Sequence, residues 1–357
     1  MIGTSEARVR SVKSGMSLAA AAFAVACLCA AGARSADGTS VRPGGPSGGI
    51  EEVVVTGEQP GPGLWQVSKG DHVLWVLGTV PALPKGMKWK TDGINRILAS
   101  SQAMLSSPGL TPDANIGPFS AMLLLPTLIG VEKLPDGATL HQVLPPAVYA
   151  RWTVQRQRYL GNSERLERLR PFIAADKLAN VAYQKAGLTD DSEVISTVRK
   201  LAKKYRVKKM DAEYHIFIRD PKALIKNFKK ASLDESACFN YQLDDLEYSL
   251  AESVLQANAW ATGNAAALKS SLEKKPEDPC WEGISNVSFI KDLGIEDLAA
   301  SINEAWLKAA EKSLTENQQS FAVLEMSDVL LPNGLLAMLK AKGYTVLGPA
   351  DATYAAR

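Results

Sequence analysis

Residues 71–81 read Asp71-His72-Val73-Leu74-Trp75-Val76-Leu77-Gly78-Thr79-Val80-Pro81. The apolar run 73–77 between two glycines is typical of a buried strand that stops at a Gly-Thr corner. In α/β folds, ligands usually bind at the sheet edge where such a strand ends. In a catalytic chain of this plan we expect a metal ligand or an acid–base group just after the corner. The side chain of Pro81 can neither bind a metal nor transfer a proton, so the sequence has the strand of a catalytic site without its expected functional residue.

The sequence around this strand predicts an α/β (α+β) fold. The segments 64–68 and 72–77 flank a Lys-Gly-Asp turn, which favours an N-terminal β-hairpin. Helical periodicity follows over 91–101, and a short buried strand over 103–105. Mostly helical patterns then alternate with three further strand candidates, at 207–212, 321–324 and 344–347. We therefore predict a central mixed β-sheet that begins with a hairpin and is covered by many helices.

The N-terminus indicates export. Residues 1–36 combine a basic start, an alanine-rich apolar run over 16–31 and small residues suited to cleavage, so they are predicted to be a signal peptide. The run is too short for a membrane span. We expect a periplasmic or secreted protein that contacts the membrane only through this segment before processing. Cys27 lacks the leucine that lipoprotein signals usually carry three residues earlier, so lipid anchoring at Cys27 is not expected.

Composition divides the rest of the chain. Residues 37–62 are rich in glycine and proline and are predicted to be a linker, 63–348 one large domain, and 349–357 a C-terminal tail. The whole chain has a net charge of +2, of which residues 1–36 contribute +3. Removing residues 1–36 therefore leaves a net charge of −1. A nearly neutral protein has no global field that attracts nucleic acid, and no nucleic-acid partner is expected. Basic runs such as Arg199-Lys200 follow helical patterns, which favours solvated helix faces.

Cys238 and Cys280 are the only cysteines outside the predicted signal peptide. An exported chain with two thiols has one intramolecular pairing, so a Cys238–Cys280 disulfide is predicted. Such a bridge would stabilise the fold by roughly 3–4.5 kcal/mol in the chain-entropy model. A catalytic cysteine or a zinc site would need histidines nearby, and the three histidines of the chain show no ligand spacing.

Ordered motifs along residues 63–348 resemble the TraB/GumN family, whose wider superfamily includes TIKI-type metalloproteases and haem-binding ChaN proteins. Each motif is weak by itself, and the specificity lies in the ordered set. The motifs are Gly63-Leu64-Trp65-x-Val67, Val73 to Thr79, Arg170-Pro171-Phe172, Cys238, Ala259-Trp260-Ala261-Thr262-Gly263, Cys280, Asn303-x-x-Trp306 and Gly334-Leu335-Leu336-Ala337-x-Leu339-x-x-x-Gly343-Tyr344-x-Val346.

The resemblance implies a metal-hydrolase site that this chain has lost. In active members it implies a histidine after the Gly-Thr strand, which here is Pro81, and a glutamate after the next strand, which here is Ser107 or its neighbour Ser106. It also implies a late Arg-Asn pair, here Ile302-Asn303, and a second histidine, here Asp328. A hydrolytic metal site usually needs about three protein ligands and an open position for water. Of the matched positions only Asp328 can donate to a metal.

We therefore expect a non-catalytic pseudoenzyme that binds a peptide, a saccharide or a protein partner in the former cleft, without a cofactor. Candidate cleft residues are Thr79, Glu213, Asn303 and Asp328. Two alternatives stay open. One is a metal-dependent hydrolase or protease with a site rebuilt from Asp328, Glu213 and His215, and the other is an exported scaffold without a ligand. A fold by itself does not decide among them.

Overall fold

In a computed structural model of the chain, the described residues are 57–114, 118–230, 236–274 and 297–351. The predicted signal peptide, most of the predicted linker, Cys280 and the end of the predicted tail lie outside these residues. Helices and strands are numbered below within the described segments.

The strands are β1 Glu58–Gln59, β2 Trp65–Lys69, β3 His72–Thr79, β4 Leu83–Pro84, β5 Lys88–Trp89, β6 Ala103–Leu105, β7 Leu110–Asp113, β8 Leu188–Thr189, β9 Lys208–Met210, β10 Tyr214–Phe217, β11 Gln319–Glu325 and β12 Thr345–Leu347. The helices are α1 Asp92–Ser100, α2 Pro118–Leu128, α3 Leu140–Val143, α4 Pro146–Leu160, α5 Pro171–Lys185, α6 Ser192–Lys204, α7 Pro221–Lys230, α8 Ser236–Thr262, α9 Ala265–Glu273, α10 Leu298–Glu316, α11 Met326–Leu330 and α12 Leu335–Ala341, with a 3-10 turn at Pro135–Gly137.

Six strands form the central sheet in the order β12-β2-β3-β11-β6-β9. Strands β12, β2 and β3 are antiparallel neighbours, whereas β3, β11, β6 and β9 all run parallel. The β2–β3 hairpin turns at Gly70, whose φ of 63° lies in the left-handed region that glycine adopts without a steric cost. The prediction of a mixed central sheet with an N-terminal hairpin is confirmed. Three two-stranded sheets accompany it, pairing β1 with β5, β7 with β10 and β4 with β8.

Strand β3 lies in the centre of the main hydrophobic core. Residues 74–79 are buried without interruption, and because alternate residues face opposite sides of a sheet, both faces of the strand are covered. Helix α10 packs on β3, β6 and β11, while α1 packs on β11 and on α6. Strands covered on both faces are continuous apolar runs, which explains the pattern of residues 73–77.

Trp260 joins the long helix α8 to the end of β3. Its indole N–H donates to the carbonyl of Gly78 at 2.7 Å, and its ring meets that of Trp89 edge-on, with 5.4 Å between the centroids. A Cβ atom at Gly78 would lie 2.6 Å from Cε of Met326, so a larger residue at this corner would require the Met326 side chain to move. The Gly-Thr corner is therefore held by residues distant in sequence.

A second apolar cluster joins α3, α4, α5 and α8. Trp152 and Phe239 pack at its centre, with 5.6 Å between their ring centroids. The indole N–H of Trp152 donates to Oε1 of Glu167 at 2.8 Å, and Nε of Arg156 lies 3.3 Å from the same oxygen. The buried carboxylate of Glu167 therefore has both the indole and the guanidinium beside one of its oxygens. No helix within the described segments is both long and apolar enough to cross a membrane.

Candidate functional site

Four parallel strands end along one side of the central sheet, which we call the carboxyl edge. Thr79 ends β3 opposite Glu325 at the end of β11, and Leu105 ends β6 opposite Met210 at the end of β9. The carboxyl edge comprises the segments that follow these ends, which are residues 79–81, 106–107, 211–213 and 325–328. All of Pro81, Ser107, Glu213 and Asp328 lie within these four segments. The fold therefore gathers side chains that are far apart in sequence.

Two hydroxyls of the carboxyl edge bind the backbone of β11. The Thr79 hydroxyl lies 3.3 Å from the carbonyl oxygen of Leu324, and the Ser107 hydroxyl donates to the carbonyl of Val323 at 3.1 Å. These carbonyls belong to consecutive residues of one strand. Ser107, at the position where the family resemblance implies a carboxylate, therefore supplies a hydrogen-bond donor to the protein itself.

Ser106 holds two further segments at the same edge. Its hydroxyl accepts a hydrogen bond from the backbone N–H of Ala212 at 2.9 Å, and its carbonyl accepts one from the indole N–H of Trp306 at 3.2 Å. The first contact fixes the chain just before Glu213, and the second fixes helix α10. The two serines after β6 therefore position neighbouring segments through hydrogen bonds.

The remaining positions implied by the resemblance differ in their surroundings. Pro81 is exposed, whereas Asp328 is half-buried in α11. Ile302 is a core side chain of α10 with 7% of its surface exposed, and Asn303 beside it is half-buried. An isoleucine cannot provide the positive charge of an arginine. Ile302 instead packs in the hydrophobic core.

Asp191 is a residue of this site that sequence reasoning missed. It immediately precedes α6, at the position of a helix cap, but its side chain makes no capping hydrogen bond. Its carboxylate contacts the Thr79 hydroxyl instead. Burial raises the pKa of Asp191, and the hydrogen bond with Thr79 opposes this shift without cancelling it. In α/β folds, a helix that connects parallel strands begins beside the carboxyl ends of those strands. This rule could have identified Asp191, at the start of α6, as a residue near the carboxyl edge.

An open depression of about 500 Å³ begins at Asp191 and follows the outer face of α6. Its lining combines one carboxylate with three cationic side chains and two smaller residues, which are Asp191, Ile195, Ser196, Arg199, Lys200 and Lys203. The shape is shallow, and the charges are those of an exposed helix face. A polar ligand that reaches the carboxyl edge from this side would meet mostly positive charge.

His215 lies between two carboxylates on the small β7–β10 sheet. Its Nδ1 is 2.8 Å from Oδ2 of Asp113, and its Nε2 is 2.9 Å from Oδ2 of Asp211. The hydrogen bond with Asp113 raises the pKa of His215 most strongly, burial opposes it, and Asp211 adds to the increase. Both ring nitrogens are therefore engaged. Glu213 accepts a hydrogen bond from Thr111, and its Oε1 is 3.7 Å from Nζ of Lys209.

A family model described as the TraB/PrgY/gumN family matches residues 63–347. The chain belongs to this family. No curated protein and no solved structure matches the chain significantly. The resemblance drawn from the ordered motifs is confirmed at the level of the family.

This TraB-family chain does not fit the metal site that the resemblance implies. Pro81 provides no ligand, and Ser107 donates its hydroxyl proton to a carbonyl. Within the described segments, no group of three or more His, Cys, Asp and Glu side chains is arranged to hold a metal ion. The nitrogens of His215 are occupied by carboxylates, so its imidazole has no lone pair directed at a site.

The structure thus unites some predicted site residues and separates others. Thr79 and Ser107 lie on either side of the end of β11, because β3 and β6 are its two neighbours. Glu213 follows β9 at the outer end of the same row. His215 lies farther along the chain on β10, where its contacts are Asp113 and Asp211. Whether these residues form a ligand site stays a prediction.

Proposed function

We propose that this TraB-family protein is exported and binds a peptide, a saccharide or a protein partner at the carboxyl edge without cleaving it. The observation that carries the proposal is the use of Ser107, whose hydroxyl binds the Val323 carbonyl at 3.1 Å. A hydrolytic site needs a carboxylate or imidazole free to hold a metal or to activate a water. Pro81 and Ser107 follow the two strands beside β11 and offer neither group.

The surroundings support binding at this edge. Topology places it where α/β proteins usually bind ligands. The open depression that starts at Asp191 is lined by Arg199 and Lys200 among others, which favours a partner with polar or acidic groups. The rebuilt-site alternative needs Glu213 and His215 as catalytic groups. Their contacts with Thr111, Asp113 and Asp211 favour a structural role.

The absence of hydrolysis is tested on the unmodified protein. Isothermal titration with Zn²⁺ and Mn²⁺ and a peptide-cleavage assay with and without a chelator should show neither tight binding nor cleavage. Restoring activity should need at least Pro81→His, Ser107→Glu and Asp328→His together. Micromolar or tighter binding at one site per chain, coupled to chelator-sensitive cleavage, would establish the rebuilt hydrolase instead.

Binding is tested by a photo-cross-linking amino acid placed at position 107 or at position 100 in intact cells. Ser100 is an exposed serine at the opposite end of the sheet, where it accepts a hydrogen bond from Gln319 at 2.7 Å. We expect adducts of defined mass from position 107 and none from position 100. Ser107→Arg should remove binding of the identified partner, and Ser100→Arg should retain it. The same adducts from both positions, or none from position 107, would contradict partner binding at this edge.

Export and the disulfide complete the proposal. N-terminal sequencing should find the mature chain starting near Arg34 or Asp37, and an intact Met1 in the periplasmic fraction would contradict export. Cys238 lies on α8 and is half-buried. Since Cys280 lies outside the described residues, their pairing stays a prediction. Non-reducing peptide mapping should find the two peptides linked, and labelling of both thiols in unfolded, unreduced protein would contradict the bridge.

A further inference from the structure

Helix α2 exposes an apolar surface. The helix has no charged residue, and its apolar residues are not confined to one stripe along it. Met122, Leu123 and Leu125 expose 55%, 60% and 45% of their surfaces, and Ile129 just beyond the helix exposes 77%. Single exposed apolar side chains are ordinary in proteins. Four within eight residues are a concentration of exposed apolar side chains of the kind that contacts a partner or a membrane.

Helix α7 places cations beside this surface. It packs against α2, and Nζ of Lys229 donates to the carbonyl of Ile129 at 2.6 Å, which ties the two helices together at the end of α2. Lys222, Lys226 and Lys230 are exposed on α7, which has no acidic residue. We call the exposed side chains of α2, Ile129 and these three lysines the apolar–basic patch.

The composition of the patch selects its occupant. A membrane interface presents acyl chains to apolar side chains and anionic headgroups to lysines, so both halves of the patch find a partner there. The eleven residues of α2 measure about 16 Å at 1.5 Å per residue, against about 30 Å for a bilayer core, so the helix can lie in the interface but cannot span it. A second copy packed face to face would bring two sets of lysines together, and like charges disfavour that pairing.

We propose that the apolar–basic patch docks the protein peripherally on an anionic lipid bilayer. Met122, Leu123, Leu125 and Ile129 enter the interface, and the lysines of α7 contact the headgroups. The proposal revises the expectation that the membrane is contacted only through the predicted signal peptide. It uses different residues from the carboxyl edge, so it stands or falls independently of the proposed partner binding.

The test is a flotation assay with the protein as it is isolated from cells. One set of vesicles contains phosphatidylglycerol and phosphatidylethanolamine and is anionic, and the other contains phosphatidylcholine alone. We expect binding to the anionic vesicles that weakens as salt is raised, because salt screens the lysine contacts. Each of Lys222→Gln, Lys226→Gln and Lys230→Gln should lower the partition coefficient about fivefold. Leu123→Glu with Ile129→Glu should lower it at least tenfold, since carboxylates would enter the apolar layer.

Matched controls separate the patch from general surface changes. Val154→Glu with Leu255→Glu replaces apolar side chains of similar exposure, 66% and 58%, outside the patch and should leave flotation unchanged. Lys200→Gln with Lys203→Gln and Lys204→Gln, on α6, should change it little. Circular dichroism checks that every variant is folded. Equal flotation of the Leu123→Glu, Ile129→Glu variant and the wild type would overturn the proposal, as would absence of binding to anionic vesicles. A wild-type dimer that the same variant dissociates would assign the face to self-association instead.

Discussion

Replacing Glu167 by glutamine should destabilise the fold far more than the same replacement at Glu132. Each glutamate forms an ion pair, and the pair at the surface has the shorter distance. Glu132 Oε2 is 2.7 Å from Nζ of Lys177, whereas Glu167 Oε1 is 3.3 Å from Nε of Arg156. Distance alone would therefore rank Glu132 first. Burial reverses the order, because the side chains of Glu167 and Arg156 are each 10% exposed, against 50% and 41% for Glu132 and Lys177.

The magnitude follows from what each replacement leaves behind. Removing one partner of a buried ion pair leaves an uncompensated buried charge and costs about 3–5 kcal/mol. Arg156 still donates to the Ser163 carbonyl at 3.1 Å, and glutamine retains an acceptor for the Trp152 indole, so we expect the lower end, about 3 kcal/mol. Glu132→Gln opens a solvated pair and should cost at most about 1 kcal/mol.

Urea unfolding followed by circular dichroism measures both values. With a slope of about 3 kcal/mol per molar, Glu167→Gln should move the midpoint down by about 1 M without changing the slope, and Glu132→Gln by about 0.3 M or less. The double variant Glu167→Leu with Arg156→Leu should regain part of the loss, because an apolar pair leaves no buried charge. Equal midpoint shifts for Glu167→Gln and Glu132→Gln would refute the argument that burial determines the cost.

Two other changes have defined outcomes. Asp113→Asn should lower the pKa of His215, which NMR titration can follow, because the Asp113 hydrogen bond raises that pKa most. Because the pKa of His215 is raised in the folded protein, protonated His215 stabilises the fold fully below about pH 6.5, and this stabilisation is lost as the pH rises through the folded-state pKa. Asp113→Asn should therefore make the stability fall less over this pH range. An unchanged pKa of His215 in Asp113→Asn would contradict the role given to Asp113. Gly334→Ala should destabilise by about 1–3 kcal/mol in thermal unfolding, since its Cβ would lie 2.6 Å from the Asp328 carbonyl oxygen. Gly93→Ala, with nothing within 4 Å, should be neutral or slightly stabilising, and equal melting temperatures would contradict the packing argument.

The central sheet was predictable because its strands are local apolar runs. The predicted helix over 91–101 is observed as α1, and the strand over 103–105 as β6. The β7–β10 sheet was not predicted. Proline and aspartate are depleted in strands, so Leu110–Asp113 has little strand signal, and its pairing with Tyr214–Phe217 depends on a segment about a hundred residues away. The carboxylate contacts of His215 follow from that pairing and were equally hidden.

At the carboxyl edge, sequence reasoning identified positions but not their contacts. The motif order was sufficient to select Pro81, Ser107 and Asp328, and the parallel strands account for their occurrence along one edge. The hydroxyl of Ser107 turns to a carbonyl on β11, which only the strand order β3-β11-β6 makes possible. The contact of Asp191 with Thr79 was hidden because a sequence window around Asp191 contains the start of α6 and not the end of β3, where Thr79 lies.

The two basic helices show why neighbours decide the role of a charge pattern. The lysines of α6 and α7 follow similar helical spacing, a pattern that favours a solvated face. In the structure α6 packs against α1, where the Tyr205 hydroxyl donates to Oδ1 of Asn95 at 2.9 Å, and Lys200 and Lys203 on its outer face line the open depression that begins at Asp191. Helix α7 packs against the apolar α2 instead, so its lysines lie on a helix next to one with exposed leucines. The same cationic pattern therefore supports two different proposals, a polar ligand beside α6 and an anionic bilayer beside α7.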